Sequence, residues 1–257
     1  MHSSIVQVGQ FHSVKNQPLH NVLVYAPTII WVKKGHKELL WRDHNLEFYH
    51  DDWLVIPANQ YLTFTNMAQN NVFFSKTITF LQPPPEDWLN TQQSAIQPKE
   101  PRIKVTEPLI YCFNILSEMA SKKLSRGAQE QLLLGFYQEL RSNNALSLLF
   151  PSANTSMSEN IARYLSVSPG DEHKVETVAK HFSMSRATLI RKLSMENTSF
   201  RQILTEIRMG FALGLLQQQH QLLNVALACG YQSQSRFSSR FKQQFGISPK
   251  QYLNTLK

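Results

Sequence analysis

The sequence predicts an α+β chain in two unlike halves: a small N-terminal β-barrel with attached helices, then an all-α domain. Three observations point to it. Short runs rich in Val, Ile, Thr and aromatic residues fill the first third, with turn residues between them. Six of the 12 prolines crowd between Pro83 and Pro108, and beyond them the apolar period changes from strand-like to helical. The charge is split as well. Residues 1–153 hold 13 Lys and Arg against 12 Asp and Glu, whereas residues 154–257 hold 13 against 6. A basic half beside a near-neutral one predicts a polyanion partner for the basic half.

In chain order, residues 21–30, 30–32, 38–41, 53–56, 61–64 and 72–80 read as strands. Lys34-Gly35, the run from Arg42 to Asn45, Pro57-Ala58-Asn59 and Asn70-Asn71 punctuate them. Regular short strands of this kind predict a small barrel or sandwich, here assigned as a barrel over residues 1–82. Pro83, Pro84, Pro85, Pro98, Pro101 and Pro108 make residues 83–108 an extended connector, because proline neither continues a helix nor donates to a ladder. Residues 109–119 are almost wholly apolar and predict a buried helix. Residues 126–141 carry a wide stripe of Ala128, Leu132, Phe136 and Leu140 flanked by Leu133 and Tyr137. Residues 109–150 are therefore a helical part of the N-terminal half, with core packing favoured over dimerisation because exposed patches of that size are rare. A polar joint beginning at Pro151 opens the basic domain, 151–257.

That domain repeats itself. Val178-Ala179, Ser183-Met184-Ser185, Leu189 and Leu193 form one pattern. Val225-Ala226, Gly230-Tyr231-Gln232, Phe237 and Phe241 form a second, displaced by 47 residues before the turn and 48 after it. Each predicts a short helix with a small alanine at the crossing, a tight turn, and a helix with apolar residues at i and i+4. That is the arrangement of a helix-turn-helix motif, here present twice. Residues 200–216 predict a long helix holding the two at fixed separation.

From about Lys174 to Tyr252 these residues resemble the AraC/XylS family of bacterial transcription regulators. The second unit supplies the run from Ala226 to Tyr231, then Ser235-Arg236-Phe237, Phe241-Lys242, Phe245-Gly246-Ile247-Ser248-Pro249 and Tyr252. The first unit and linker supply Ser185, Leu189, Arg191, Ser199-Phe200, Arg208 and Leu215-Leu216. The segment from Asp51 to Asn59 is similar to the Gly-Asp-x-x-x-Ile-Pro run of the cupin-like domain in many such regulators, with Asp51 where glycine is usual. Three positions depart from the family pattern: Ser239 replaces a common arginine, Asn197 a common glycine, and Leu253 a common arginine. Ser239 weakens the case for base reading by the second unit, while Asn197 still reaches a left-handed conformation.

On the first recognition helix, Leu189 and Leu193 mark the core side, which turns Ala187, Thr188 and Arg191 toward a groove with Arg186 and Lys192 flanking. Arg191 suits the two acceptors of guanine, and Ala187 or Thr188 a thymine methyl. On the second, Phe237 and Phe241 mark the core side. Gln232, Gln234, Ser235 and Ser239 then face outward, with Arg236, Arg240 and Lys242 as phosphate anchors. Ser185 and Ser233 are the expected N-caps. The charge and the motif pair make double-stranded DNA the expected partner, and the resemblance adds RNA polymerase and activation of promoters; a homodimer is a further expected partner, and the expected location is the bacterial cytoplasm, with the chain on the nucleoid when bound. It also resembles virulence or stress regulators in overall plan.

Trp31, Phe48, Tyr49, Trp53, Tyr61 and Phe64, with Lys33 and Lys34 nearby, suit either a filled barrel core or a cavity for a small apolar or acidic effector; the candidate ligand set is Trp31, Lys33, Lys34, Trp53, Tyr61 and Phe64. Nine histidines raise a metal hypothesis, but His2, His12, His20, His36, His44 and His50 lack the spacing of a cupin ligand set, so no metal and no cofactor are expected. Only Cys112 and Cys229 are present, which excludes a disulfide framework and suits a reducing compartment. There is no phosphate loop, no nucleophile motif, no signal-peptide pattern at the N-terminus and no membrane-length apolar run. An enzyme is not expected. The rivals are a metal-dependent cupin enzyme with an appended basic domain, and a DNA-binding regulator governed by a partner protein.

Overall fold

Two antiparallel sheets form the N-terminal half of the computed structural model, which describes residues 5–90, 100–119, 121–122, 124–151, 155–218 and 220–257. The strands are β1 (Val6–Ser13), β2 (Gln17–Val24), β3 (Thr28–Lys34), β4 (His36–Trp41), β5 (His44–Phe48), β6 (Asp52–Ile56), β7 (Gln60–Met67) and β8 (Phe73–Phe80). The short helix α1 (Glu86–Asn90) and the strand β9 (Arg102–Lys104) follow. One sheet has the order β1-β8-β3-β6-β9 and the other β2-β7-β4-β5. This corrects the predicted closed barrel. β1 pairs only with β8 and β2 only with β7, so the two sheets stay open along the β1 and β2 edges.

The tight turns are where the sequence places them. Arg42 and Asp43 both have positive φ and close the β4–β5 hairpin between Trp41 and His44, and Asn70 and Asn71 do the same between Gln69 and Val72. Two-residue loops with both φ values positive match the twist of the flanking strands. The run 21–30 is two strands, not one: it breaks at residues 25–27, where the chain passes from one sheet to the other and Pro27 cannot donate to a ladder. β9 lies inside the predicted connector. It is held by Arg102 and Lys104 against Asp52 at 2.5 and 2.8 Å, charges rather than an apolar alternation. Residues 91–99, including Pro98, lie outside the described residues, as do residues 1–4 with His2 and residues 152–154 of the polar joint.

Three helices cover the outer face of the five-stranded sheet: α2 (Glu107–Met119), α3 (Arg126–Ser142) and α4 (Leu146–Leu149). Alternation along β3 and β6 turns Trp31 and Trp53 toward them, whereas Ile30, Leu54 and Ile56 face the space between the sheets. Phe113 meets both tryptophans, at 5.3 and 5.1 Å between ring centroids, and Phe136 stacks on Phe80 at 5.7 Å. The α3 stripe is buried here through Leu133, Phe136, Tyr137 and Leu140, so it packs the core of the half.

The C-terminal half is α5 (Met157–Leu165), α6 (Val175–His181), α7 (Arg186–Met195), α8 (Phe200–Gln217), α9 (Leu222–Ala228), α10 (Gln234–Phe245) and α11 (Pro249–Asn254). Ser156, Ser185, Ser199, Ser233 and Ser248 each cap a helix by accepting the amide three residues on. α8 joins two apolar clusters, giving Ile203 and Ile207 to the first unit and Met209, Ala212, Leu213 and Leu216 to the second. No helix among the described residues is long and apolar enough to cross a membrane.

Candidate nucleic-acid interface

The two units are superposable in their local logic. Val178 and Ala179 of α6 are buried, as are Val225 and Ala226 of α9, so a small side chain stands at each helix crossing. Each first helix ends at a residue with left-handed backbone, Ser183 at φ 54° and Gly230 at φ 75°, which are 47 positions apart. The second helix of each unit then starts from a serine cap, Ser185 for α7 and Ser233 for α10. Asn197, after α7, is also left-handed at φ 55°.

Leu189 and Leu193 of α7 are buried while Arg186, Ala187, Arg191 and Lys192 are exposed. Thr188 is half-buried, its hydroxyl 2.9 Å from that of Ser185, and Arg186 lies 3.4 Å from Glu176 of α6. On α10, Phe237, Phe241 and Phe245 are buried, and Gln232, Gln234, Ser235, Arg236, Ser239 and Lys242 are exposed around them. Ser233 is half-buried at its cap. Arg240 differs from its neighbours. It is half-buried, donates to Gln243 at 2.8 Å, and lines a narrow cleft between α8 and α10 with Arg201, Gln202 and Glu206. Arg201 was not singled out in the sequence; its exposed place two residues beyond the Ser199 cap is the signal that could have found it.

The helix-turn-helix domain family matches residues 178–255. Residues 178–255 are an AraC-type helix-turn-helix domain. The regulator is 28% identical over 179 residues to the porin thermoregulatory protein EnvY of Escherichia coli, covering 65% of this chain and 70% of that one. It is 27% identical over 158 residues to the transcriptional activator CsvR of Escherichia coli, covering 61% of this chain but 59% of CsvR. Its whole fold, both halves together, resembles ToxT of Vibrio cholerae, with a TM-score of 0.62, 15% identity, and coverage of 99% of this chain and 100% of that one. ToxT has also been solved with an unsaturated fatty acid bound. The helix-turn-helix match makes double-stranded DNA the partner of the domain.

Between the two halves of the regulator lies a cavity of about 1090 Å³. That is just above the usual range of small-molecule sites, roughly 300–1,000 Å³. It opens between the two sheets along the β1 and β2 edges and is closed by α8, with Phe64, Leu62, Leu19, Ile30, Ile207 and Leu213 among its apolar walls. Of the side chains named as a ligand set, Phe64 lines it. Trp31 and Trp53 are on the opposite face of their sheet, packed against Phe113. Lys33 lies over the Trp31 ring, where burial and then Lys76 pull its ammonium down to about 8, and Lys34 is exposed. Tyr61 is half exposed and donates its hydroxyl to Glu206 Oε1 at 2.9 Å, a tie between the halves. Burial and this bond to a carboxylate push the phenol up to about 12.

The polar groups that do line the cavity were missed in the sequence. Lys37 is buried and its Nζ donates to Asn66 Oδ1 at 2.5 Å; burial holds its ammonium well below the usual range. Glu206 on α8 is raised by burial, and Gln202 and Tyr61 donate to it. Lys37 was overlooked as a charged residue in a short strand, although alternation with the apolar Leu39 puts both on one face. His36, Glu38 and Glu47 come together on the outer face of the four-stranded sheet, where His36 stacks on Tyr49 and Tyr49 donates to Glu47. The thiol of Cys229 is buried and pushed up to about 12.

Proposed function

We propose that the regulator is a promoter activator that sets α7 and α10 into successive major grooves on one DNA face and is controlled by an apolar acid held between its halves. The observation behind the DNA half is the repeated left-handed turn at Ser183 and Gly230, after which each recognition helix buries its apolar side and leaves a polar side exposed. On α7 that side would read bases through Arg191 with Ala187 and Thr188, while Ser185, Arg186 and Lys192 hold the backbone. On α10, Arg236, Arg240 and Lys242 would anchor phosphates, with Ser233 as cap and Gln232, Gln234, Ser235 and Ser239 at the groove. Both recognition helices come from one chain, so this mode does not require a homodimer. RNA polymerase contact and a cytoplasmic setting belong to the same proposal.

Footprinting on selected genomic fragments tests the DNA half. Two protected major-groove patches one helical turn apart, about 10–10.5 base pairs, are expected. A single patch would overturn the two-groove mode. Thermal shift with straight-chain acids tests the effector half, where a rise in midpoint with long acids is expected. No shift with any acid would remove the effector and leave partner-protein control as the better account.

A further inference from the structure

β4 and β5 set two carboxylates face to face with no lysine or arginine between them. Glu38 and Glu47 are direct partners across the β4–β5 ladder, and both point away from the space between the sheets, where Leu39 and Phe48 are buried. Like charges directly opposite each other in a sheet are destabilising. Among the described residues no lysine or arginine forms an ion pair with either carboxylate, and what meets the pair is an imidazole. His36 stands two residues before Glu38 on the same face of β4, just after the left-handed turn at Gly35 (φ 71°). Its Nε2 is 3.7 Å from Glu38 Oε1, and one ligand atom from each of His36, Glu38 and Glu47 lies within 4.8 Å of the other two. Ligands bound at roughly 2.0–2.2 Å to a tetrahedral Zn²⁺ sit about 3.3–3.6 Å from one another. Closing this triad therefore takes rotation of the exposed Glu47 and half-exposed Glu38 side chains, with the ladder left in place.

The ligands are also held from behind. Tyr49 stacks on the His36 ring at 5.0 Å between centroids with the planes 20° apart, and its hydroxyl donates to Glu47 Oε2 at 2.6 Å. The other ring nitrogen of His36, Nδ1, lies 3.4 Å from the Gln69 side-chain amide. Turned end for end, that amide accepts the Nδ1–H, which is the support a metal-binding histidine ordinarily has and leaves Nε2 free for a metal. We propose that His36, Glu38 and Glu47 form a Zn²⁺ site on the outer face of the four-stranded sheet, with a fourth position open to water. One imidazole with two carboxylates balances the charge of a divalent ion. The nitrogen in the set selects Zn²⁺ over Mg²⁺, which takes oxygen ligands and dehydrates reluctantly. The site is independent of the effector proposed above, because it lies on the opposite face of the sheet from the interdomain cavity. β5 is the edge strand farthest from β2 in the order β2-β7-β4-β5, so a bound ion staples that edge to β4 and cancels the repulsion between the two carboxylates. The spacing that speaks against a cupin ligand set concerns the inside of a barrel; here Glu47 joins His36 and Glu38 through the β4–β5 register.

The test is titration of the metal-free full chain with Zn²⁺, followed by competition with a chromophoric chelator and by the thermal midpoint. Wild type should take up one equivalent that Mg²⁺ in large excess does not displace. Its midpoint should rise with Zn²⁺ concentration, as a ligand that binds only the folded chain requires. His36→Ala and Glu47→Gln should each weaken Zn²⁺ at least ~10-fold, since loss of a mere supporting partner already costs that much. Glu47→Gln keeps an acceptor for Tyr49 and removes the like-charge opposition, so its metal-free midpoint should not fall and its loss of Zn²⁺ is not a loss of fold. His44→Ala, which removes an exposed histidine of β5 outside the triad, should bind as wild type does. Co²⁺ in place of Zn²⁺ should show no thiolate charge-transfer band, which sets Cys112 and Cys229 aside. Equal affinity in wild type, His36→Ala and Glu47→Gln overturns the site, as does a thiolate band or a wild type that takes up no Zn²⁺. None of these results bears on acid binding between the halves.

Discussion

Arg191 and Arg240 occupy recognition helices of the same design but stand in different surroundings. Arg191 projects from α7 with nothing to hold it, free to meet a base edge, whereas Arg240 is half-buried and oriented by Gln243. Arg191→Ala should cost roughly 1–3 kcal/mol on the cognate site and relax preference at one base pair. Arg240→Ala should weaken all sequences alike and lower the salt slope by about one counterion. Isotherms on cognate and scrambled duplexes at several salt concentrations separate the two, and the reverse pattern would make α10 the reader. Lys37 allows a second prediction at this scale. Burial holds its ammonium well below the ordinary lysine value of 10.5, so between the lowered folded value and 10.5 the unfolded chain holds a proton the folded chain lacks. Stability therefore rises with pH across that window. Lys37→Met removes the effect, so its gain in thermal midpoint over wild type should be largest at low pH and fade as pH approaches 10.5. A gain that does not vary with pH would mean the lysine titrates normally. At this scale the sequence was legible where a side chain's exposure follows from its own helix, as for Arg191. It was opaque for Trp31 and Trp53, because the face of β3 and β6 that meets α2 depends on packing that no local pattern encodes.

The helix-turn-helix units were readable as elements because everything that makes them lies within about twenty residues: a serine cap, a small residue at the crossing, a left-handed turn. Ser183 and Gly230 do the same work with different chemistry, and this separates their mutants. Gly230→Ala would place a Cβ at φ 75° and within 2.7 Å of both the Arg208 guanidinium and the Gly170 carbonyl, so destabilisation of more than about 1 kcal/mol is expected. Ser183→Gly relieves the left-handed strain at a partly offsetting cost in chain entropy and should stabilise by about 0.5 kcal/mol. Urea unfolding of both variants gives the two signs, and the same sign for both would show that backbone conformation does not control these turns. β9 was hidden in the proline-rich stretch for the opposite reason. Its three residues are held by Asp51 and Asp52 across the sheet, and a three-residue strand of charged character has no periodicity to detect. The barrel assignment failed similarly: strand spacing shows how many strands exist, but closure depends on whether β1 and β2 pair, and they do not.

Because β1 and β2 do not pair with each other, each is left as an open sheet edge, and proteins ordinarily cover such edges. Here the DNA-binding half covers them. The Gln217 side chain accepts from His12 N at 3.0 Å and donates to His12 O at 3.2 Å, acting toward β1 as a neighbouring strand would. Val14 N donates to Thr255 O at 2.8 Å, and Gln244 Nε2 donates to Asn21 O at 2.7 Å beside the C-terminal end of α10. Leu19 of β2 is buried in the same cluster as Phe237, Phe241 and Tyr252, so the core of the second unit is completed by the other half of the chain. The first unit has Tyr25 against its core and the bond from Asn59 to Ser156 at 2.8 Å. Leu19→Ala should therefore act on one unit. Truncating a buried leucine costs about 2–5 kcal/mol, and here the loss is concentrated where β2 meets α10 and α11. Stability is not uniform across a structure, so a local loss of this kind is seen as faster amide exchange in the elements that lose their support. In Leu19→Ala, residues 222–257 should lose protection while residues 175–195 keep theirs. Equal loss in both stretches would mean that the two units open together through α8. The second unit would then have no separate dependence on the sheet edge, and its core would stand without Leu19 as the first unit's does.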